Sequence, residues 1–443
     1  LNLQEYINFV HDGKADWFVS ECNSYYHMNR INKVVDIKEY LSGNHLINNR
    51  PAEQWNGKTF EPRRIVLQYA KTVLNFSTSY LLKNPVTLTG EESDVKVMKD
   101  VYKKGKLHRS DLDIMDKMVK YGAVYEYLFI DKDGKIKSKL IAPEDSYPVY
   151  NEQGEMICFI EHFTSVFNVS FYNIFTDSTV QKWTDAGGDL NFLGEFNNPG
   201  GLPVIYKNLN ELDNTDGRSD LEDFVNIIDN MEDLISKYTD SIYKFLNPLP
   251  VVIGQKLNIK NNQGEIPTNL VGIGLNLDDG SDMKFVHGQL DFESFESVWK
   301  VLKQALLDIS NTPAVSMNNT DISNLSEVSI KLLFSLADIK AGLNERYIRE
   351  GFEQRFKKIE KLLGLQGIEI NSDDIDVVFI YSRPLNESDI IDNIKTLKEL
   401  GVMSLQTAVE NAPMIYDPVN EIERLSKESV NKGNEDIVNN QLE

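Results

Sequence analysis

Along this chain, stretches in which apolar residues recur every three or four positions give way to stretches in which they alternate. The two periods separate helix from strand. Asn2 to Val10 shows the first pattern over a short amphipathic segment. Pro62 then opens a longer one in which Ile65, Tyr69, Val73, Phe76 and Tyr80 share a face. Asn84-Pro85 closes it, because the proline ring crowds a helical residue before it. Residues 1 to 90 therefore read as mostly helical, and a further helix is predicted over roughly Ser110 to Tyr121. Strands follow: Val124 to Ile130 and Ile136 to Ile141 flank the turn Asp131-Lys132-Asp133-Gly134 and read as a hairpin. More strands are predicted at Met156 to Phe163, Val166 to Thr176 and Ser178 to Trp183, with turns at Gly187-Gly188 and at 198 to 201. The first half is α+β.

After Gly217 the period becomes seven. Leu221, Ile228, Ile235 and Ile242 occupy one heptad position, and Phe224, Met231, Tyr238 and Phe245 lie three residues later. This predicts a straight helix of about 40 Å with a narrow apolar seam. Asn247-Pro248 stops it, and short β-rich pieces broken by glycines run to 290. A second helix carries Phe295, Val298, Leu302, Ala305, Leu306 and Ile309 on one side and ends before Pro313. Residues 314 to 325 form a polar loop, and from Gln304 through Ile330 there is no Lys or Arg. A third helix is predicted from about Ser326 to Leu363, stopped by Gly364. A strand at Ile375 to Tyr381, helices at Glu387 to Leu400 and Ser404 to Asn411, and a polar tail complete the chain. Two long helices flanking a β insertion predict an extended subunit whose seam neighbouring copies cover.

Charge narrows the function. With 443 residues, 46 basic and 68 acidic side chains and a net charge of -22, the chain is too long for one core and repels phosphate. A clamp that grips nucleic acid by neutralising it is disfavoured; a surface that lets DNA pass is not. Cys22 and Cys158 form no metal or redox motif, and the six histidines show no paired ligand spacing, so neither a metal nor a cofactor is expected. Gly105-Lys106-Leu107 fails the nucleotide-binding pattern. Asp213 to Glu222 fails as a calcium loop because Leu212 stands where the first acid is needed. The acidic pairs Glu91-Glu92, Glu222-Asp223 and Asp373-Asp374 read as solvated or dipole-complementing. The basic cluster Arg355, Lys357, Lys358 and Lys361 complements the end of its helix, with a phosphate contact as the sharper alternative. No apolar run approaches a membrane span and no signal-peptide pattern opens the chain.

Several local patterns, in order, are shared with a known family. Phe60 to Leu88 holds Arg63-Arg64-Ile65, Ser79-Tyr80-Leu81 and Asn84-Pro85-Val86. Tyr121-Gly122-Ala123 and Tyr125-Glu126 precede Asp131 to Gly134 and Pro143 to Tyr150. Gly217-Arg218-Ser219-Asp220-Leu221 opens the heptad helix, Leu325 to Lys331 opens the third helix, and Ile380 to Pro384 and Ser404 to Glu421 follow. This succession resembles the phage portal proteins of the SPP1-like family. Lys83-Asn84 and Glu327-Val328 stand where that family has glycine.

The resemblance implies an elongated α+β subunit that assembles into a ring, usually of twelve copies, at one capsid vertex. It implies a wing (1–217 with 326–385), stem helices (218–246 and 291–312), a clip (247–290), a tunnel loop (313–325), a crown (386–430) and a flexible tail (431–443). Double-stranded DNA would pass through the ring during packaging and ejection. The partners implied are the terminase large subunit, a head-completion adaptor, and the major capsid and scaffolding proteins. The ring would sit in the virion, after assembly in the host cytoplasm. No catalytic residue is expected. The DNA-facing loop residues are Met317, Asn318, Asn319, Thr320 and Asp321. The stem acids Asp229, Glu232, Asp233 and Asp240 are channel-wall candidates, and Val251, Ile253, Leu270 and Ile273 are clip docking candidates. Another virion or prophage ring component (an adaptor or a baseplate part) and an acidic hydrolase are the alternatives.

Overall fold

The computed structural model describes residues 1–55, 58–212, 215–245, 249–254, 279–286, 291–314, 327–384 and 387–413, with 415, 421–422, 424–425 and 427. They form a mixed helical and sheet protein in two compact units, one of Leu1–Ser24, Leu74–Ser219 and Asn311–Glu443, the other of Tyr25–Val73 and Asp220–Ser310.

In the first unit, Asn2 and Glu5 close a reciprocal capping box on the helix Leu3–Val10. A five-stranded antiparallel sheet has the order Asn191–Asn197, Thr179–Thr184, Ser170–Phe175, Met156–Thr164, Ser146–Tyr150. A three-stranded sheet has the order Val204–Lys207, Ala123–Ile130, Ile136–Ile141. Tyr125, Ile141, Phe159, Phe175, Val180 and Leu202 form a core that these strands share. The hairpin turn is held by Asp131, whose Oδ1 accepts from the amides of Asp133 and Lys135, both at 2.9 Å, so Asp131 serves the turn. The strand predicted from Val166 begins only at Ser170. Ser165 donates its amide to the Val169 carbonyl at 2.8 Å across a tight turn, with Asn168 at φ 56°, which leaves Val166 and Phe167 exposed.

The helix predicted from Ser326 to Leu363 is two helices, Glu327–Leu333 and Ser335–Gly364. The break is at Phe334, whose buried ring stacks on Tyr80 at 5.8 Å while the Ser335 hydroxyl takes the Leu332 carbonyl at 2.8 Å. Gly364 stays helical. The left-handed position after the helix is Gly367 (φ 77°), and the Ile368 amide returns to the Leu363 carbonyl. Thr87–Gly90 pairs antiparallel with Ile375–Val378, which closes the unit. The helices Glu387–Glu399 and Leu405–Glu410 follow.

In the second unit the heptad pattern forms one helix, Leu221–Phe245, packed on Phe292–Ile309. Leu221, Phe224, Ile228 and Met231 are buried, and Tyr238 stacks on Phe295 at 3.9 Å. Among the described residues between these two helices, Leu249–Ile253 pairs antiparallel with Asp282–Val286. Two findings depart from the periodicity. The 18-residue helix Tyr25–Ser42 falls in the stretch read as mostly helical, but the periodicity does not single it out, because its buried positions are only His27, Val34, Ile37 and Tyr40. The helix predicted from Pro62 begins at Tyr69, and the residues before it carry no helical turn.

Candidate functional site

The family-like glycines of the first unit meet one another. A side-chain carbon on Gly217 would lie 1.9 Å from the Gly122 carbonyl oxygen, and one on Gly122, which has φ 87°, would lie 2.5 Å from that of Gly217. Only glycine fits at either position. The Asn208 amide donates to the Gly122 carbonyl at 2.7 Å, its side-chain amide donates to the Arg218 carbonyl at 2.9 Å, and the Ser219 hydroxyl donates to the Lys120 carbonyl. The chain is thus clamped just before it enters the heptad helix. Tyr80 plays the same part at the other motif. Its hydroxyl donates to Asp338 at 2.6 Å, Arg383 reaches Asp338 at 3.0 Å, and the Ser382 amide donates to the Tyr80 carbonyl at 2.8 Å.

Arg355 is not placed at the surface where a phosphate backbone could meet it. It is fully buried, its Nε donates to Glu126 at 2.8 Å, and its Nη1 donates to Asp111 and, at 3.1 Å, to the Tyr102 hydroxyl. Tyr206 donates to the same Glu126 oxygen at 2.8 Å, and the guanidinium lies 4.8 Å from the centre of the Phe352 ring. Two carboxylates and the aromatic faces enclose one fixed positive charge. Glu126 belongs to the Tyr-Glu motif, so that motif serves the core. Lys357 pairs with Asp373 at 3.7 Å, and Lys358 donates to the Gly200 carbonyl at 3.3 Å.

In the second unit the acids of the heptad helix do something the channel-wall expectation did not foresee. Asp240 Oδ1 accepts from the Arg63 amide at 2.9 Å, Ser236 Oγ from the Ile65 amide at 3.0 Å, and Glu232 Oε1 from the Leu67 amide at 2.7 Å. Four helical residues advance about 6.0 Å and two extended residues about 6.6 Å. A row spaced by four on the helix therefore matches every second amide of an antiparallel extended segment. Every second amide from Arg63 to Leu67 thus finds an acceptor on the heptad helix, a pattern that fits an extended segment and not a helix beginning at Pro62. The row is closed by Arg50, which donates to Asp240 Oδ2 at 2.9 Å, by His45, whose Nδ1 lies 2.7 Å from Glu232 Oε1, and by Tyr40, which donates to Asp229 at 3.0 Å.

Two of the four channel-wall candidates are therefore corrected. Glu232 and Asp240 are 0% and 2% exposed within a single chain, so neither presents its charge to a bore. Burial also pushes the carboxyls of Glu232 and Asp229 above their ordinary range. Asp233 keeps an exposed head, paired with Lys237 at 2.7 Å. His45, Tyr40, Arg50 and Ser236 escaped the sequence reading. The row Glu232, Ser236, Asp240 was visible as a second face about a third of a turn from the seam; its partners, more than 160 residues away, were not. Among the clip candidates, Val251 and Ile253 lie in the strand Leu249–Ile253, and Ile253 is exposed. Leu270, Ile273 and all five loop residues, Met317 to Asp321, lie outside the described residues. Among the described residues, no helix is long and apolar enough to cross a membrane.

The chain is 25% identical to the portal protein of Bacillus phage SPP1 over 419 residues, covering 86% of this chain and 76% of that one. Among solved structures it resembles a chain from the neck of an empty gene transfer agent particle, with 10% identity, a TM-score of 0.46, and coverage of 76% of this chain and 85% of that one. A chain from the neck of the native particle gives 10% identity, a TM-score of 0.43 and coverage of 78% and 88%. The profile of the family described as phage portal protein, SPP1 Gp6-like, matches residues 24–434, and the chain belongs to that family.

Proposed function

We propose that this protein is a portal subunit: copies of it, twelve in number, form a ring at one capsid vertex through which double-stranded DNA passes during packaging and ejection. The observation that carries this reading is the family match over residues 24–434. Apolar faces that a lone chain leaves in water support the assembly. Val328, Leu332, Leu336, Ile339 and Leu343 recur every three or four residues on the outside of the long helices, opposite the buried Ile330, Phe334, Ala337, Ala341 and Ile348. A helix that is apolar on both sides asks for cover on both. Val298, Val301 and Ile309 are similarly exposed on the helix Phe292–Ile309.

On this reading residues 1–217 with 326–385 are the wing, 218–246 and 291–312 the stem, 247–290 the clip, 313–325 the tunnel loop and 386–430 the crown. The clip, through Val251, Ile253, Leu270 and Ile273, docks the terminase large subunit and later the head-completion adaptor. Capsid and scaffolding proteins surround the ring. The protein is a passive conduit, and ATP is consumed by the terminase. Met317, Asn318, Asn319, Thr320 and Asp321 touch DNA without a salt-sensitive grip, because no Lys or Arg lies between Gln304 and Ile330. Of the two remaining stem acids, Asp229 is held by Tyr40, and Asp233, with its exposed head, is the one placed to repel the backbone.

Electron microscopy of the purified full chain, viewed down the symmetry axis, tests the assembly. An open ring of about twelve copies is expected from closed cyclic symmetry, and a strictly monomeric particle or a plugged centre would refute it. Replacing Asn318 and Asn319 by Lys should slow DNA packaging while rings still form. Unchanged packaging would remove the loop assignment.

A further inference from the structure

We infer that His45, Asp229 and Glu232 form a binding site for one first-row divalent cation of the Zn2+ or Mn2+ class, pinning the segment after Tyr25–Ser42 to the heptad helix. One nitrogen of His45 and one oxygen from each carboxylate lie within 4.8 Å of one another. Ligands about 2.0–2.2 Å from a common Zn2+ ion stand that close together. The donor set is one imidazole and two carboxylates, which suits zinc and manganese better than Mg2+ or Ca2+; those prefer oxygen alone.

Two further observations favour a ligand over a plain ion pair. Both His45 and Glu232 are fully buried, yet Nε2 of His45 and Oε2 of Glu232 have no hydrogen-bond partner among the described residues. Such atoms cost free energy unless something meets them. Charge is also unbalanced. Two carboxylates face one imidazole, which supplies at most a single positive charge, whereas a divalent cation beside a neutral imidazole cancels both. The ligating nitrogen carries no proton, so any proton it holds leaves to solvent on loading.

The surroundings are those that orient ligands. The Tyr40 hydroxyl donates to Asp229 at 3.0 Å, and the Leu67 amide donates to Glu232 at 2.7 Å. The Tyr40 ring stacks on the His45 imidazole with centroids 3.8 Å apart and planes 17° apart, which fixes the imidazole plane. Asp229 and Glu232 are three residues apart on one helix, and His45 is distant in sequence. A bound ion would therefore cross-link two segments and stabilise the fold that contains them.

The test uses the full-length chain stripped with EDTA and then given Zn2+, Mn2+, Co2+ or Mg2+ in turn. Expected are about one tightly held Zn2+ per chain, a rise of several degrees in Tm with Zn2+ and Mn2+ but not with equal Mg2+, and visible absorption from bound Co2+. Asp229→Asn and His45→Gln should lose the ion and the rise, while Asp233→Asn keeps both. If His45→Gln does not fold, Asp229→Asn decides, because its half-buried amide can still accept from Tyr40. A rise that Mg2+ matches, or one that survives undiminished in Asp229→Asn, overturns the site and shows only diffuse attraction of cations to an acidic protein.

Discussion

Both compact units bury carboxylates, and they neutralise them differently. Around Arg355 in the first unit, Asp111 and Glu126 share a guanidinium whose charge does not change with pH, and Tyr102 and Tyr206 supply further hydrogen bonds. Along the heptad helix of the second unit, Glu232 meets a neutral backbone amide and an imidazole, and Asp229 meets a phenol. Burial works against the charge of Arg355, but Glu126, Tyr206, Asp111 and Tyr102 outweigh it and hold the guanidinium charged. The same burial pushes Glu232 and Asp229 toward their neutral forms, with His45 opposing. A fixed counter-ion makes one network a permanent bolt. Titratable and neutral donors leave the other responsive to protons and cations.

Removing the bolt should have the largest effect. Arg355→Met leaves two buried carboxylates without their cation and should cost about 3–5 kcal/mol, read as a fall in the urea midpoint. An effect below 1 kcal/mol would mean that water reaches the cluster. Next is Gly351→Ala. The added carbon would lie 2.2 Å from the Tyr206 ring, and moving that ring draws its hydroxyl off Glu126. A loss of about 1–3 kcal/mol is expected, despite the better helix propensity of alanine.

The second network is sharpened by pH. Glu232 and Asp229 are raised above their ordinary values of 4.5 and 3.8, so the folded chain holds these protons more tightly than the unfolded chain. That contribution is fully present below those ordinary values and is lost as pH rises through the elevated ones. In EDTA, thermal melts of Glu232→Gln should lose part of the decline that the wild type shows above pH 4.5; an unchanged slope would place the proton elsewhere. Asp233→Asn should have the smallest effect, within about 0.5 kcal/mol, since its partner Lys237 and its own head are in water.

Legibility in the sequence followed the range of the forces. The strand Ile136–Ile141 and the helix Leu221–Phe245 were readable because alternation and heptads are local records of which side is buried. Glu92–Gly105 left a similar record in Val95, Met98 and Tyr102 that went unread. Residues 63–67 could not be read locally. Ile65 falls in step with Tyr69 and Val73, yet its amide is claimed by Ser236, 171 positions away. The acids of the heptad helix were equally ambiguous, since a solvated face and a buried polar row look alike until a partner segment is in place.

Determined by the sequence alone were the α+β first half, the heptad helix, the hairpin turn at Asp131 and the succession of family-like motifs. All of these depend on neighbours within a few turns of chain. Only the tertiary structure decided that Arg355 is a core cation, that Gly122 and Gly217 touch, and that Glu232 and Asp240 point inward. Those outcomes rest on desolvation and on hydrogen bonds between distant segments, and the free energy of a buried charge is set by whatever the fold brings beside it.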